Sequence, residues 1–264
     1  IDGRPTVLVT ASNRTLYALD AETGESLWAF ETYPWRDTML PSSCSSPVVV
    51  DMAGRPLIVF SMWTSDSDPL RRLQNGELIA IDPSKPKQPA WRVKIDTVRV
   101  SAPALAVTPD GPVLVGCSTA GHACGMDGHT GQRAGGLATV SGPFGPPSGG
   151  RVAGKLATFF GDAYGTVYAV DTTNGKEIWS RRVGHMVAAT PTFVDTPAGP
   201  RLLVASYDRS LHALDAATGA SLWRIATGDY ITATPCAMRL GDGFGVLFSS
   251  LDNQIYLATL DTGD

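Results

Sequence analysis

A 44-residue ruler constrains this chain more than any other feature. Asp127, Asp171 and Asp215 stand 44 apart, and Thr259 takes the next mark. Gly131, Gly175, Gly219 and Gly263 keep the same step, as do Pro103, Pro147, Pro191 and Pro235. Trp179 and Trp223 fit it too, with Gly135 at the mark before them. The stretch around these marks reads YALDAETGESLW at residues 17–28 and returns at 79–91, 168–179 and 212–223. Several residue types on one spacing exclude chance. A period of ~40–50 residues with strand-like content indicates a four-stranded β-propeller blade.

The strands of a unit are legible in the copy that starts at Thr190. Residues 190–194, 201–205, 211–214 and 221–225 read as its first to fourth strands, the first innermost. Asp20, Asp82, Asp127, Asp171 and Asp215 fall between third and fourth strands, where an Asp side chain bonds nearby backbone N–H groups. Gly24, Gly131, Gly175 and Gly219 follow, where the turn needs φ > 0. Two residues before each Asp of four copies stands a small residue: Ala18, Ala80, Ala169 or Ala213. Trp28, Trp91, Trp179 and Trp223 are expected to pack across blades into the room these alanines leave. Each buried ring would contribute ~3 kcal/mol.

Counting blades, the chain opens in a second strand at 6–10, runs through four full units, and ends after a third strand. That is 3 + 4×4 + 3 = 22 strands. The expectation is an all-β fold: one propeller domain over residues 1–264, with six units visible in a ring of six to eight blades, and incomplete at both blade ends. Charged residues at 17% and apolar ones at 43% suit a folded chain. A net charge of −4 gives no basic face for nucleic acid. No apolar run approaches the ~18 residues of a membrane span. The first residue is Ile1, so the chain reads as processed or excerpted, and a removed signal peptide is neither visible nor excluded.

The pattern Ala-x-Asp-x-x-Thr-Gly-x-x-x-Trp, at 18–28 and 213–223, resembles the repeat of the PQQ-like (quinoprotein-type) β-propeller family. That resemblance covers nearly the whole chain. It implies one of three roles. One is a non-catalytic module that binds or scaffolds proteins in a periplasmic or extracellular assembly, as in the outer-membrane protein assembly machinery. Another is part of a quinoprotein dehydrogenase holding pyrroloquinoline quinone (PQQ) and calcium. The third is an accessory propeller attached to a cytochrome or other enzyme. The dehydrogenases of the family carry a disulfide between adjacent cysteines, and no Cys-Cys occurs here. No Glu/Asn/Asp set matches their calcium site. The expectation is therefore the binding module, without cofactor. No phosphate loop, HExxH or GxSxG motif adds a catalytic set.

The ruler breaks once. Asp20 to Asp82 is 62 residues, 18 more than 44. Seven of these lie between Trp28 and Pro47, and eleven between Pro47 and Asp82. Both insertions, around 31–45 and 62–76, fall on connections at the same end of the strands. They carry Trp35, Arg36, Trp63, Asp66, Asp68, Arg71 and Arg72. Long loops on a rigid scaffold concentrate function, and Trp and Arg anchor interfaces. These residues, with His185 on a fourth-to-first connection at the same end, are the candidate protein-binding set. Ser141 to Gly150 is an unusual Gly/Pro run, SGPFGPPSGG, read as a loose blade or a contact.

Four cysteines occur. Cys117 and Cys124 are expected to face each other across a two-residue turn at Ala120-Gly121, close enough for a disulfide. Two free thiols, or a metal site with His122 and His129, are the alternatives, although the spacing matches no zinc pattern. Cys44 and Cys236 read as core or single thiols. His212 stands where other units have Tyr and reads as structural.

Overall fold

The computed structural model describes residues 3–32, 42–51, 55–65, 74–95, 101–108, 111–118, 122–132, 138–139, 145–241 and 243–264. These form strands and turns only. Blade 1 is β1 (Thr6–Ala11), β2 (Thr15–Asp20) and β3 (Ser26–Glu31). Blade 2 is β4 (Ser42–Cys44), β5 (Val48–Val50), β6 (Leu57–Ser65), β7 (Gln74–Ile81) and β8 (Pro89–Ile95). Blade 3 is β9 (Ala104–Thr108), β10 (Gly111–Ser118), β11 (His122–Asp127) and β12 (Ala138–Thr139). Blade 4 is β13 (Ser148–Val152), β14 (Lys155–Gly161), β15 (Thr166–Asp171) and β16 (Glu177–Arg182). Blade 5 is β17 (Thr192–Val194), β18 (Arg201–Ser206), β19 (Ser210–Asp215) and β20 (Ser221–Ala226). Blade 6 is β21 (Cys236–Leu240), β22 (Gly243–Ser249) and β23 (Ile255–Thr259). Each sheet is an antiparallel meander. Among the described residues, blades 1 and 6 are three-stranded sheets. The one strand beyond the expected count is β4.

β4 shows what part of the insertions builds. Both β4 and β5 pair with β6, as Ser42↔Thr64 to Cys44↔Met62 and Val48↔Val59 to Val50↔Leu57. The innermost strand is thus continued outward along a lengthened β6–β7 hairpin. Where two plain loops were expected, a three-stranded ladder stands at the base. Residues 33–41 and 66–73 lie outside the described residues.

The conserved geometry of each unit follows from its turn. Asp20 Oδ1 accepts the N–H groups of Glu22 and Thr23 at 2.9 Å each, and Asp215 Oδ1 those of Ala217 and Thr218 at the same distance. The Thr23 and Glu22 N–H bonds hold the Asp20 carboxyl below its usual range. Just beyond the turn, the register shifts by one residue in four blades, at Ala18/Leu19, Ala80/Ile81, Ala169/Val170 and Ala213/Leu214. The extra residue of this bulge faces solvent, which explains the exposed Ile178 and Leu222.

The same bulge sets the tryptophans, and here the expected packing is corrected. Each alanine lies directly across the ladder from the Trp of its own blade, as in Ala169↔Trp179 and Ala213↔Trp223. The room between blades comes instead from the turn glycine of the next blade. A Cβ on Gly219 would lie 2.8 Å from the Trp179 ring, and one on Gly263 3.0 Å from Trp223. Gly219, at φ 73°, meets two requirements at once: a left-handed backbone and the absence of a side chain. Trp179 Nε1–H then donates to the Ala216 carbonyl (3.0 Å) and Trp223 Nε1–H to Leu260 (2.9 Å).

Between these plates the sheets pack face to face. Phe159, Val167 and Ala169 of blade 4 meet Leu202, Val204 and Leu214 of blade 5 in one buried cluster. Leu203, Leu211 and Ala213 of blade 5 meet Val246, Phe248 and Ala258 of blade 6 in the next. The Gly/Pro run is close packing where it is described. A Cβ on Gly150 would lie 2.5 Å from the Phe193 ring, so β13 and β17 approach only because that side chain is missing.

Candidate partner-binding face

Second-to-third turns and fourth-to-first connections emerge at one end of the strands, and this end carries the described candidate residues. The turns are tied to the strands by a repeated bond. Asn13 Nδ2 donates to Tyr17 Oη at 2.7 Å, and Tyr256 Oη–H donates to Asp252 Oδ2 at 2.7 Å. In blade 5 the same place is taken by Asp208 and His212, Oδ2 to Nε2 at 2.9 Å. Burial lowers the His212 pKa, outweighing the nearby Asp208 carboxylate, so the neutral ring donates from Nε2. His212 is structural in this geometry, as its place on the ruler suggested. Asp252 also reaches the preceding connection, accepting the Gly228 N–H at 2.8 Å. Asp208 crowds the corresponding Gly184, where a Cβ would lie 2.8 Å from its carboxylate. The blade 6 turn is thereby latched to the connection before it, and the blade 5 turn packs closely on the one before it.

A row of rings stands on these turns. His185, on the connection from blade 4, stacks on Tyr207 of the blade 5 turn at 6.3 Å between centroids and 10° between planes. Tyr207 stacks on Tyr230, on the next connection, at 5.0 Å and 13°. The Arg209 guanidinium lies 5.9 Å from the Tyr230 centroid. The row is preset by backbone and side-chain bonds. Tyr207 N–H donates to the Met186 carbonyl (3.0 Å), Ser206 Oγ–H to the His185 carbonyl (2.9 Å), and Met186 N–H to His185 Nδ1 (2.9 Å). His185 and Arg209 are exposed, Tyr207 is half-buried, and Tyr230 is 38% exposed. On neighbouring turns at the same end stand Tyr164, 68% exposed, and Leu251, 55% exposed. This is an aromatic, cation-flanked surface with its side chains already ordered.

Of the sequence candidates, His185 joins this row. Trp35, Arg36, Asp66, Asp68, Arg71 and Arg72 lie outside the described residues. Trp63 lies in β6, its backbone paired with Ser43 and Gly76, and its side chain is outside the described set. The expected two-residue turn between Cys117 and Cys124 is corrected. Ser118 pairs with His122, leaving three residues in the loop, so Cys117 opposes Ala123 and Cys124 opposes Gly116. The side chains of both cysteines are outside the described residues. Cys236 is an exposed free thiol rather than a core residue. Among the described residues, no three His, Cys, Asp or Glu side chains are grouped to hold a metal, and no helix is long and apolar enough to cross a membrane.

Sequence reasoning missed Tyr207, Arg209 and Tyr230. A signal was present: the ruler gives Ala163 and Leu251 at the marks of Tyr207, and Met186 at that of Tyr230. Aromatics that depart from the repeat at a turn mark are not explained by turn chemistry.

A groove of about 710 Å³ lies between β17 and β21, lined by Phe193, Met238, Phe244 and Cys236 among others. Its charged lining residues are Asp195 and Arg239, and the latter's guanidinium sits 5.6 Å from the Phe244 ring centroid.

Comparison with known proteins adds a family match over part of the chain, and the fold. The family model described as outer membrane protein assembly factor BamB matches residues 135–235 and 165–263. No curated protein matches by sequence. Among solved structures, the chain is similar to BamB from Moraxella catarrhalis at 20% identity and a TM-score of 0.66, covering 97% of this chain and 67% of that one. It is similar to Sqt1 of Saccharomyces cerevisiae at 12% identity and 0.69, covering 97% and 68%. A third similar structure is BBS1N in complex with ARL6DN, at 16% identity and 0.65, covering 98% and 77%. At these identities the likeness to solved structures is one of fold.

Proposed function

We infer that the chain is a PQQ-like β-propeller repeat protein, which the family-model matches at residues 135–235 and 165–263 support, and that it is a non-catalytic scaffold holding a protein partner at the turn end of its blades. The observation that carries this reading is the ordered row His185–Tyr207–Tyr230 with Arg209 beside it. Stacked aromatics and Arg supply contact area at low entropic cost, because their rotamers are fixed before binding. The two insertions of blade 2 fall on connections of the same end in the sequence, and Trp35, Arg36, Trp63, Asp66, Asp68, Arg71 and Arg72 are proposed as part of the same partner-binding set. A partner role fits the propeller neighbours, one of which is described in complex with ARL6DN. The matched family model, described as an outer membrane assembly factor, supports a periplasmic or extracellular place for this chain.

A photo-crosslinking amino acid at Tyr230 tests this in cells. The expected result is a discrete protein adduct that is lost when Tyr207 and Arg209 are replaced by Ala. The same probe at Asn174, on the opposite end of blade 4, should give none. Equal adducts at both positions would sink the reading. Titration with PQQ and calcium is expected to leave the absorbance spectrum that of the free quinone, and a saturable shift would instead favour the dehydrogenase reading.

A further inference from the structure

Two features of the stacked row go beyond what its turns require. The first is Arg209, which stands at φ 65°. Its marks on the neighbouring blades hold Gly165 and Asn253, residues that take this left-handed backbone with little strain. The Arg209 guanidinium meets the Tyr230 ring, and no carboxylate pairs with it among the described residues. The nearby carboxylates are already engaged. Asp208 lies 2.9 Å from His212 and 3.8 Å from Arg224, and Asp229 Oδ1 accepts the Tyr230 N–H at 2.8 Å.

The second feature lies at the tips of the rings. Tyr17, Tyr168 and Tyr256, on β2, β15 and β23, each bond a turn side chain through Oη. The Tyr207 and Tyr230 hydroxyls bond nothing among the described residues. The row therefore presents ring edges, two unused hydroxyls and one uncompensated cation.

Its spacing selects what fits across it. The rings stand 6.3 and 5.0 Å apart, with planes within 13° of parallel. An α-helix presents the apolar side chains of one face every four and three residues, in steps of about 6.0 and 4.5 Å along its axis. A strand presents them about 6.6 Å apart, and a polyproline helix about 9 Å apart. Only the α-helix pairs a longer step with a shorter one near these lengths.

We propose that the row seats an amphipathic α-helix of the partner. Its apolar stripe lies across the edges of His185, Tyr207 and Tyr230, and an acidic residue beside the stripe pairs with Arg209 and fixes the register. This rests on the reading of the row as the partner-binding face.

A benzophenone side chain, which keeps an aromatic ring, is placed one position at a time at His185, Tyr207 and Tyr230, and the adducts are mapped by mass spectrometry. The expected result is a set of contact sites within one partner segment, three, four or seven residues apart. Sites two residues apart, or spread over separate segments, would overturn the helix and leave the partner-binding reading intact. No adduct at any of the three positions would defeat both. Arg209→Glu should lower the adduct yield at Tyr230 roughly tenfold, and an acidic-to-Lys change at the facing partner residue should restore it. Arg209→Gly keeps the turn, as Gly165 does on blade 4, and should also lower the yield. A yield unchanged in both variants would overturn the proposal.

Discussion

At the residue scale, position on the ruler separates side chains of one type into different tasks. Gly24 and Gly219 share a turn and a positive φ, yet only Gly219 lies under a tryptophan. Gly24→Ala should therefore cost about 1 kcal/mol from backbone strain alone. Gly219→Ala should cost about 2–4 kcal/mol, because Trp179 must also be displaced. Urea denaturation of the two variants measures the difference, and equal losses would refute the Trp–Gly contact. His212 gives a second test. Its folded pKa lies below the ordinary histidine value because it is buried. A depressed histidine is neutral in both states at high pH, so its stabilising share is complete above about 6.5 and is lost as pH falls. His212→Tyr restores the ring found at Tyr17 and Tyr256 and keeps a donor for Asp208. The variant should match the parent at pH 8 and exceed it in stability at pH 5, as thermal melts would show.

At the element scale, the sheet interfaces are alike in pattern but unequal in bonding. Trp179 and Trp223 each donate to a carbonyl of the following blade, whereas the buried indole N–H groups of Trp28 and Trp91 have no acceptor among the described residues. Trp179→Phe should lose about 1 kcal/mol more than Trp91→Phe, since only the first removes a made hydrogen bond. Equilibrium unfolding of both variants reads that gap directly. The strands themselves were legible from spacing: 201–205 and 211–214 fall within β18 and β19. Turn marks were legible because Asp and Gly act locally. What failed to show were relations between elements. The partner of each of Trp91, Trp179 and Trp223 sits on another blade, 40 residues on, and no local pattern distinguishes the cross-strand alanine from the cross-blade glycine. The β4 extension was hidden because SSC, at Ser42–Cys44, has neither alternation nor apolar content. The stacked row escaped for the same reason: Tyr207 and Tyr230 meet through two connections, 23 residues apart in the chain.

At the scale of the whole molecule, stability is a sum of blades and the interfaces between neighbours. Blades 4 and 5 bury both faces, while blades 1 and 6 bury one. Native-state hydrogen exchange should therefore protect the amides of β14, β15, β18 and β19 most. Those of β1 and β23 should exchange faster, through local opening. Uniform protection across all six blades would contradict a nearest-neighbour account. The tryptophan plates carry a consequence for how such a molecule changes over generations. Because Trp91, Trp179 and Trp223 are each received by a glycine of the following unit, Gly131, Gly219 and Gly263, the joint is the same wherever those units are cut and spliced on the 44-residue step. Duplicating or deleting one whole unit recreates each joint without a compensating substitution, whereas moving a splice point by a few residues orphans a ring. Growth by entire copies is the mutational path of least resistance for this architecture, and the 18-residue excess of blade 2 entered on the connections, where no joint is crossed.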